Sequence, residues 1–585
     1  MTQNRLRIIS LCMLLFALVL VSKLYFVQII AGEDFKMRAE HQYVAGVNFF
    51  DRGAIFFTGK DGSLITGATV KLGFTLSINP NQLTEYQINL EELYQNINAV
   101  VPIDRGEFFI KAQKLGDPYE ELAKKLDSGS AEKLQALGVP GVSVTRERWR
   151  SYPGGTMAAH TLGLIGYDAG NELAGRYGLE RYYEKTLKRE GDEAFVNFFA
   201  EIFSNIKNVV EDGEVEGDIV TTIEPSVEAF LESELSKVTS RYASDFTGGI
   251  VIDPQTGEIV AMALTPTFDP GSPSSAPNSA VFSNKLVEDR YEMGSIIKAL
   301  TYAIGLETEA ISARTTYNDP GCMTLNTKTF CNYDGESHGS NITLQYALSK
   351  SLNTGAALVA DKVGNKKFAD YMLKFGIDEK TGIDLPNEGN NLVSNLKTHR
   401  DLELAQASFG QGIALTPITT VRALSTLANG GTIITPHLVK EVQYKIGSGK
   451  TIKYPVAEKR ERVISPEAAA EISRMLTVNV DQSLREGTMR LENYSVAAKT
   501  GTAQIANPAG GGYYQDRYLH SFFGYFPSYD ARFLIFLFTY YPKEVQFASE
   551  TLTDSFFNMT KFLINYYDIV PDRERAPTAP LGTNI

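Results

Sequence analysis

Residues 248–264 read GGIVIDPQTGEIVAMAL, two apolar runs separated by Pro254-Gln255-Thr256-Gly257. Short apolar runs on either side of such a turn predict an antiparallel hairpin. Helix-like stretches follow, SIIKALTYAIGLE, TLQYALSKSLNTGAALVADKVG and TTVRALSTLANGG, and strand-like runs return in YSVAAKTGTAQI, LHSFFGYFP and RFLIFLFTYY. Strands, then helices, then strands predict an α+β domain over 244–567: an antiparallel sheet carrying a helical subdomain. Upstream, over 31–243, β-like runs (VKLGFTLSI, GDIVTTI) alternate with charged helix-like ones (LEELYQNINAVV, EELAKKLDSG, GLERYYEKTLKRE). That half reads as an elongated α+β pedestal with no catalytic constellation. The polar, proline-rich end over 568–585 reads as disordered.

At 585 residues the chain exceeds one typical domain. Its 56 basic and 69 acidic side chains give a net charge of −13, and no basic stripe stands out, which argues against a nucleic-acid partner. The three cysteines, Cys12, Cys322 and Cys331, lack the clustered Cys/His spacing of a zinc site, so neither a metal nor another cofactor is expected. Arg5 and Arg7 precede an apolar run that continues through Lys23 to Ile30. Residues 8–30 suffice for a membrane-spanning helix if Lys23 snorkels, with 1–7 kept in the cytoplasm by the arginines. A cleaved signal peptide is the alternative, against which stand the missing small-x-small site and the aromatic pair Tyr25 and Phe26. Both readings place everything after about residue 31 outside the cytoplasm. There Cys322 and Cys331, in CMTLNTKTFC, are either a disulfide closing a small hairpin or two free thiols.

The chemistry concentrates at EMGSIIKAL, where Ser295 stands three residues before Lys298. A serine needs a base; there is no GxSxG elbow, and none of the six histidines sits in a triad-like context. Three residues of helix return Lys298 to the face of Ser295, and the N–H of Ser295 at the helix start suits a developing oxyanion. A lysine of ordinary pKa is neutral in only about one molecule in 2,500 at pH 7, so burial or a second cation has to depress it. Lys499, followed by Thr500 and Gly501, supplies that cation if the fold brings it across. Ser351 and Asn353, in SKSLN, suit proton relay and a substrate carbonyl, and Gly501 suits close approach of a ligand to the backbone. Each motif recurs alone, as Ser204/Lys207, Ser394/Lys397, Ser77/Asn79 and Lys380-Thr381-Gly382. Only Ser295/Lys298, Ser351/Asn353 and Lys499–Gly501 occur together in this order.

That order resembles the penicillin-binding proteins and serine β-lactamases. RGAIF at 52, SYPGGTMAAHTLGLIGY at 151, YGLERYYE at 177, FGQGIALTP at 409, AKTGTAQ at 498 and HSFFGYFP at 520 extend the resemblance to the class B, monofunctional penicillin-binding proteins. The resemblance implies a peptidoglycan D,D-transpeptidase serving division or elongation, with Ser295 as acyl-forming nucleophile, Lys298 as base, and Ser351, Asn353 and Lys499 in relay and substrate contact. It further implies Thr500 and Thr502 at the terminal carboxylate, and the N–H groups of Ser295 and Thr502 as oxyanion hole. Its expected partners are peptidoglycan stem peptides, β-lactams and a membrane glycosyltransferase of the SEDS type; its expected place is the bacterial cytoplasmic membrane, single-pass, with the catalytic domain outside. The alternatives are a D,D-carboxypeptidase or β-lactamase-type hydrolase, and a non-catalytic β-lactam-binding scaffold. Met293, Ile296 and Ile297 depart from the family's usual Pro-Gly-Ser-Thr-Phe-Lys and are expected to alter the pocket wall.

Overall fold

Continuous apolar runs such as FLIFLFTY (533–540) belong to a sheet covered on both faces. The computed structural model describes residues 51–114, 116–168, 170, 172–189, 216–444, 450–453, 461–507 and 509–573. Its five-stranded antiparallel sheet has the spatial order Ala497–Ala506, Tyr513–Phe526, Phe533–Tyr540, Phe246–Ile252, Ile259–Thr265. Side chains alternate with the pleat. Phe522, Phe526, Ile535 and Leu537 join one apolar cluster with Leu231 and Leu235 of helix Pro225–Tyr242 and Phe556 of helix Thr553–Tyr566. Phe523, Tyr525, Phe536 and Phe538 join another with Leu300 of helix Lys298–Glu307 and Met475 of helix Pro466–Gln482. The predicted hairpin, helices and returning strands all form.

Contacts divide the chain into two units. The smaller takes 71–149, with Leu76, Leu93, Ile97 and Phe108 in its core. In it the helix-like run EELAKKL is a strand, Glu120–Leu126, paired antiparallel with Phe74–Ile78. Leucine, alanine and lysine favour helix locally, but pairing to an existing strand and half-burial of Leu122 and Ala123 outweigh that preference. The larger unit holds 52–70 and 150–189 together with the second half of the chain. There Glu180, fully buried, accepts from Arg52 Nε at 2.5 Å and Arg150 Nε at 2.6 Å.

The expected anchor over 8–30 lies outside the described residues; among those described, no helix is long and apolar enough to cross a membrane. Disorder from 568 onward is not what the structure has over 568–573. Asp572 accepts the Ser495 N–H at 2.7 Å and Arg573 pairs with Asp481 at 2.7 Å, which fixes the chain just past the last helix.

Candidate active site

Ser295 lies in a 3-10 turn, Gly294–Ile297, and the α-helix begins only at Lys298. The expected α-helical start is thus one turn early, but 3-10 geometry eclipses residues three apart and keeps Ser295 and Lys298 on one face. Gly294 has φ +62°, and a Cβ there would stand 2.8 Å from the Thr502 carbonyl oxygen. Gly410, with φ +83°, packs still more tightly on the same turn: a Cβ there would lie 2.1 Å from the Gly294 oxygen. Two glycines therefore let the FGQG turn, the Ser295 turn and the strand of Thr502 stack on one another.

Lys298 is fully buried. Its Nζ donates to the Ser351 carbonyl at 2.5 Å and to Ser351 Oγ at 3.3 Å. Lys499 Nζ reaches the same hydroxyl at 2.9 Å and the Thr500 carbonyl at 3.0 Å. Ser351 Oγ thus bridges the two amines expected to converge. No hydrogen bond joins Lys298 to Ser295, whose Oγ has no partner among the described residues. Such contacts tighten on substrate binding in many enzymes.

Burial, followed by the like charge of Lys499, holds the Lys298 amine well below its ordinary pKa. Burial alone lowers Lys499 to about 7. Both causes anticipated for a lysine base operate, and the second lysine is itself only partly charged at neutral pH.

SKSLN does not lie inside one helix. Helix Leu344–Ser349 ends, Ser351 takes a left-handed φ of +57°, and Asn353 opens helix Asn353–Val363. The break aims Ser351 at both lysines. Asn353 Nδ2 donates to the Cys331 carbonyl at 2.7 Å. Cys322 and Cys331 form a disulfide, closing the hairpin of Cys322–Leu325 and Lys328–Cys331.

Lys499, Thr500, Gly501 and Thr502 lie on the edge strand of the main sheet. Gly501 does admit close approach, but by the protein itself: a Cβ would be 2.4 Å from Ser521 Oγ and 2.7 Å from the Met293 oxygen. Thr502 Oγ1 accepts the Ala548 N–H at 3.2 Å, and Thr500 is half-buried. Met293, Ile296 and Ile297 are buried in the main apolar cluster, so the departures there alter core packing behind the site and not its wall.

The duplicate motifs stay apart. Lys380 is an exposed loop residue, Lys397 pairs with Asp378 at 3.5 Å, and Ser77 is buried in the smaller unit; Ser204 lies outside the described residues. Sequence reasoning missed three supports. Glu292 accepts the Gly412 N–H at 3.0 Å and the Tyr513 hydroxyl at 2.9 Å; Ser521 Oγ donates to Met293 O at 2.8 Å; Asn479 Nδ2 donates to Ala498 O at 2.8 Å. Glu292 adjoins the motif and was open to suspicion, whereas Ser521 and Asn479 carry no local signal.

Residues 247–559 match the family model for the penicillin-binding protein transpeptidase domain, and 51–215 match that for the penicillin-binding protein dimerisation domain. Stage V sporulation protein D of Bacillus subtilis is 29% identical over 545 residues, 91% of this chain and 81% of that protein. Peptidoglycan D,D-transpeptidase FtsI of Buchnera aphidicola is 24% identical over 588 residues, 97% of this chain and 96% of that protein. Among solved structures, penicillin-binding protein 2X of Streptococcus thermophilus superposes with a TM-score of 0.70 at 19% identity, over 89% of this chain and 81% of that one. Penicillin-binding protein 3 of Mycobacterium tuberculosis, solved with aztreonam, gives 0.67 at 21% identity, over 90% and 98%. The structural likenesses establish a shared fold.

Proposed function

We propose that this chain, which belongs to the family of penicillin-binding protein transpeptidases, is a peptidoglycan D,D-transpeptidase whose nucleophile is Ser295. The observation that carries the reading is the pair of buried amines, Lys298 and Lys499, converging on Ser351 Oγ beside the Ser295 turn. Neutral Lys298 takes the hydroxyl proton of Ser295 as Oγ attacks the carbonyl of the penultimate D-Ala. The oxyanion forms against the N–H groups of Ser295 and Thr502, a class of interaction in which one donor is worth about 2.7 to 4 kcal/mol of barrier.

The C–N bond then breaks, and the leaving D-Ala amine takes a proton through Ser351 from the lysine pair. Asn353 holds a substrate amide carbonyl, and Thr500, Gly501 and Thr502 border the terminal carboxylate. An acceptor amine on a neighbouring strand attacks the ester carbonyl and gives a proton to the lysine pair, and as the ester C–O bond breaks Lys298 passes a proton to Ser295 Oγ, which restores the free hydroxyl. The same site opens the ring of a β-lactam and keeps the acyl group. Residues 8–30 would anchor the chain in the bacterial cytoplasmic membrane, with 31–243 as pedestal and 244–567 as the extracytoplasmic catalytic domain. Glycan polymerisation would fall to a partner membrane glycosyltransferase of the SEDS type.

A stem peptide ending in D-Ala-D-Ala, incubated with the chain and an amine acceptor, tests this. Release of D-Ala with transfer to the amine, absent in Ser295→Ala, is expected; hydrolysis without transfer would contradict the transpeptidase reading.

A further inference from the structure

Asp319 ends the strand Thr316–Asp319, at the base of the segment that carries the Cys322–Cys331 hairpin. It is only 4% exposed, yet the donors on its carboxylate are all neutral. Oδ1 accepts from the Thr354 hydroxyl at 2.7 Å and the Gly321 N–H at 3.1 Å; Oδ2 accepts from Asn332 Nδ2 at 3.0 Å and the His338 N–H at 2.8 Å. Tyr317 in turn donates to Thr354 Oγ1 at 3.1 Å. A buried carboxylate costs several kcal/mol unless its lone pairs are filled, and here they are filled from three separate segments.

Two of those segments flank the contact between Asn353 and Cys331. Thr354 follows Asn353, and Asn332 follows Cys331. The dipeptides face each other: Asn353 Nδ2 donates to Cys331 O at 2.7 Å, and the Thr354 N–H donates to Asn332 Oδ1 at 3.3 Å. An amide NH2 carries two donors. With one spent on Cys331 O, the rotamer of Asn353 is set and its second N–H is left with a fixed direction.

We infer that Asp319 is a positioning residue for acyl transfer, acting through Asn353: it holds Cys331-Asn332 against Asn353-Thr354 and so aims the amide that meets the substrate carbonyl. The inference rests on the acyl-transfer reading of the site. The contrary reading is that Asp319 merely closes the base of the hairpin.

A double-mutant cycle on the 585-residue chain separates them, read as the rate of acylation by a fluorescent penicillin at saturating label. Asp319→Ala lowers that rate by about 10- to 100-fold, the scale of an ångström's misplacement of a contact. In an Asn353→Ala background the same change moves it less than about twofold, and the pH midpoint of acylation, set by the lysines, stays put. Asp319→Asn, which keeps the volume, runs the same cycle if the alanine variant does not fold. Undiminished acylation by the single variants, or effects of Asp319 and Asn353 that multiply, would overturn the inference. Absence of labelling in the parent chain would instead overturn the acyl-transfer reading.

Discussion

Lys298 and Lys499 share one hydroxyl at 3.3 and 2.9 Å, and neither has a carboxylate among its hydrogen-bond partners. Burial penalises their charged forms, and a proton on Lys499 raises the cost of adding one to Lys298. Acylation needs neutral Lys298, so its rate rises with pH as Lys298 loses its proton, and the charge that Lys499 gains below about 7 eases that loss. Lys499→Ala removes the like charge but not the burial, and the Lys298 pKa moves up. The rising limb of the acylation profile, measured with a fluorescent penicillin, is expected to shift to higher pH in that variant; a shift to lower pH would refute the coupling. The unfolded chain holds both protons up to about 10.5, so between about 7 and 10.5 the native state binds fewer protons and this pair's contribution to stability improves as pH rises. The three motifs were legible at this scale because each chemical role demands a particular side chain. Glu292, Ser521 and Asn479 were not, because acceptors and donors for backbone groups are drawn from many residue types.

Among the elements, the Ser295 turn is placed by close backbone approach. Gly410→Ala meets both an unfavourable left-handed φ and a carbonyl oxygen 2.1 Å away, where even Gly294→Ala meets one at 2.8 Å. The left-handed conformation alone costs about 1 to 2 kcal/mol, and the clash adds to it. Gly410→Ala is expected to lower both the denaturation midpoint and the acylation rate; a midpoint within error of the parent would show that the turns do not pack as described. FGQG is visible in the sequence, but its partner is not, because Gly410 and Ser295 stand 115 positions apart in the chain. Local pattern likewise misread EELAKKL, whose strand state depends on Phe74–Ile78 as a pairing partner. The break at Ser351 was hidden for the same reason: its left-handed backbone is imposed by what Ser351 reaches, not by its neighbours in sequence.

Across the whole molecule, the order of strands and helices announced the α+β class because a sheet covered on both faces writes apolar residues at both parities, as in 533–540. The arrangement of the sheet was less accessible. The edge strand of Lys499 neighbours Tyr513–Phe526, whereas the first hairpin lies at the opposite edge, so the nucleophile turn meets Lys499 through tertiary packing alone. The central claim is that this packing makes Ser295, and no other serine, an acyl-forming nucleophile. Mass analysis of the chain after reaction with a penicillin, with the adduct mapped by proteolysis, tests it most directly. One acyl group on the peptide containing Ser295, and none in Ser295→Ala, is the predicted result; an adduct on another residue, or equal labelling of the two chains, would contradict it.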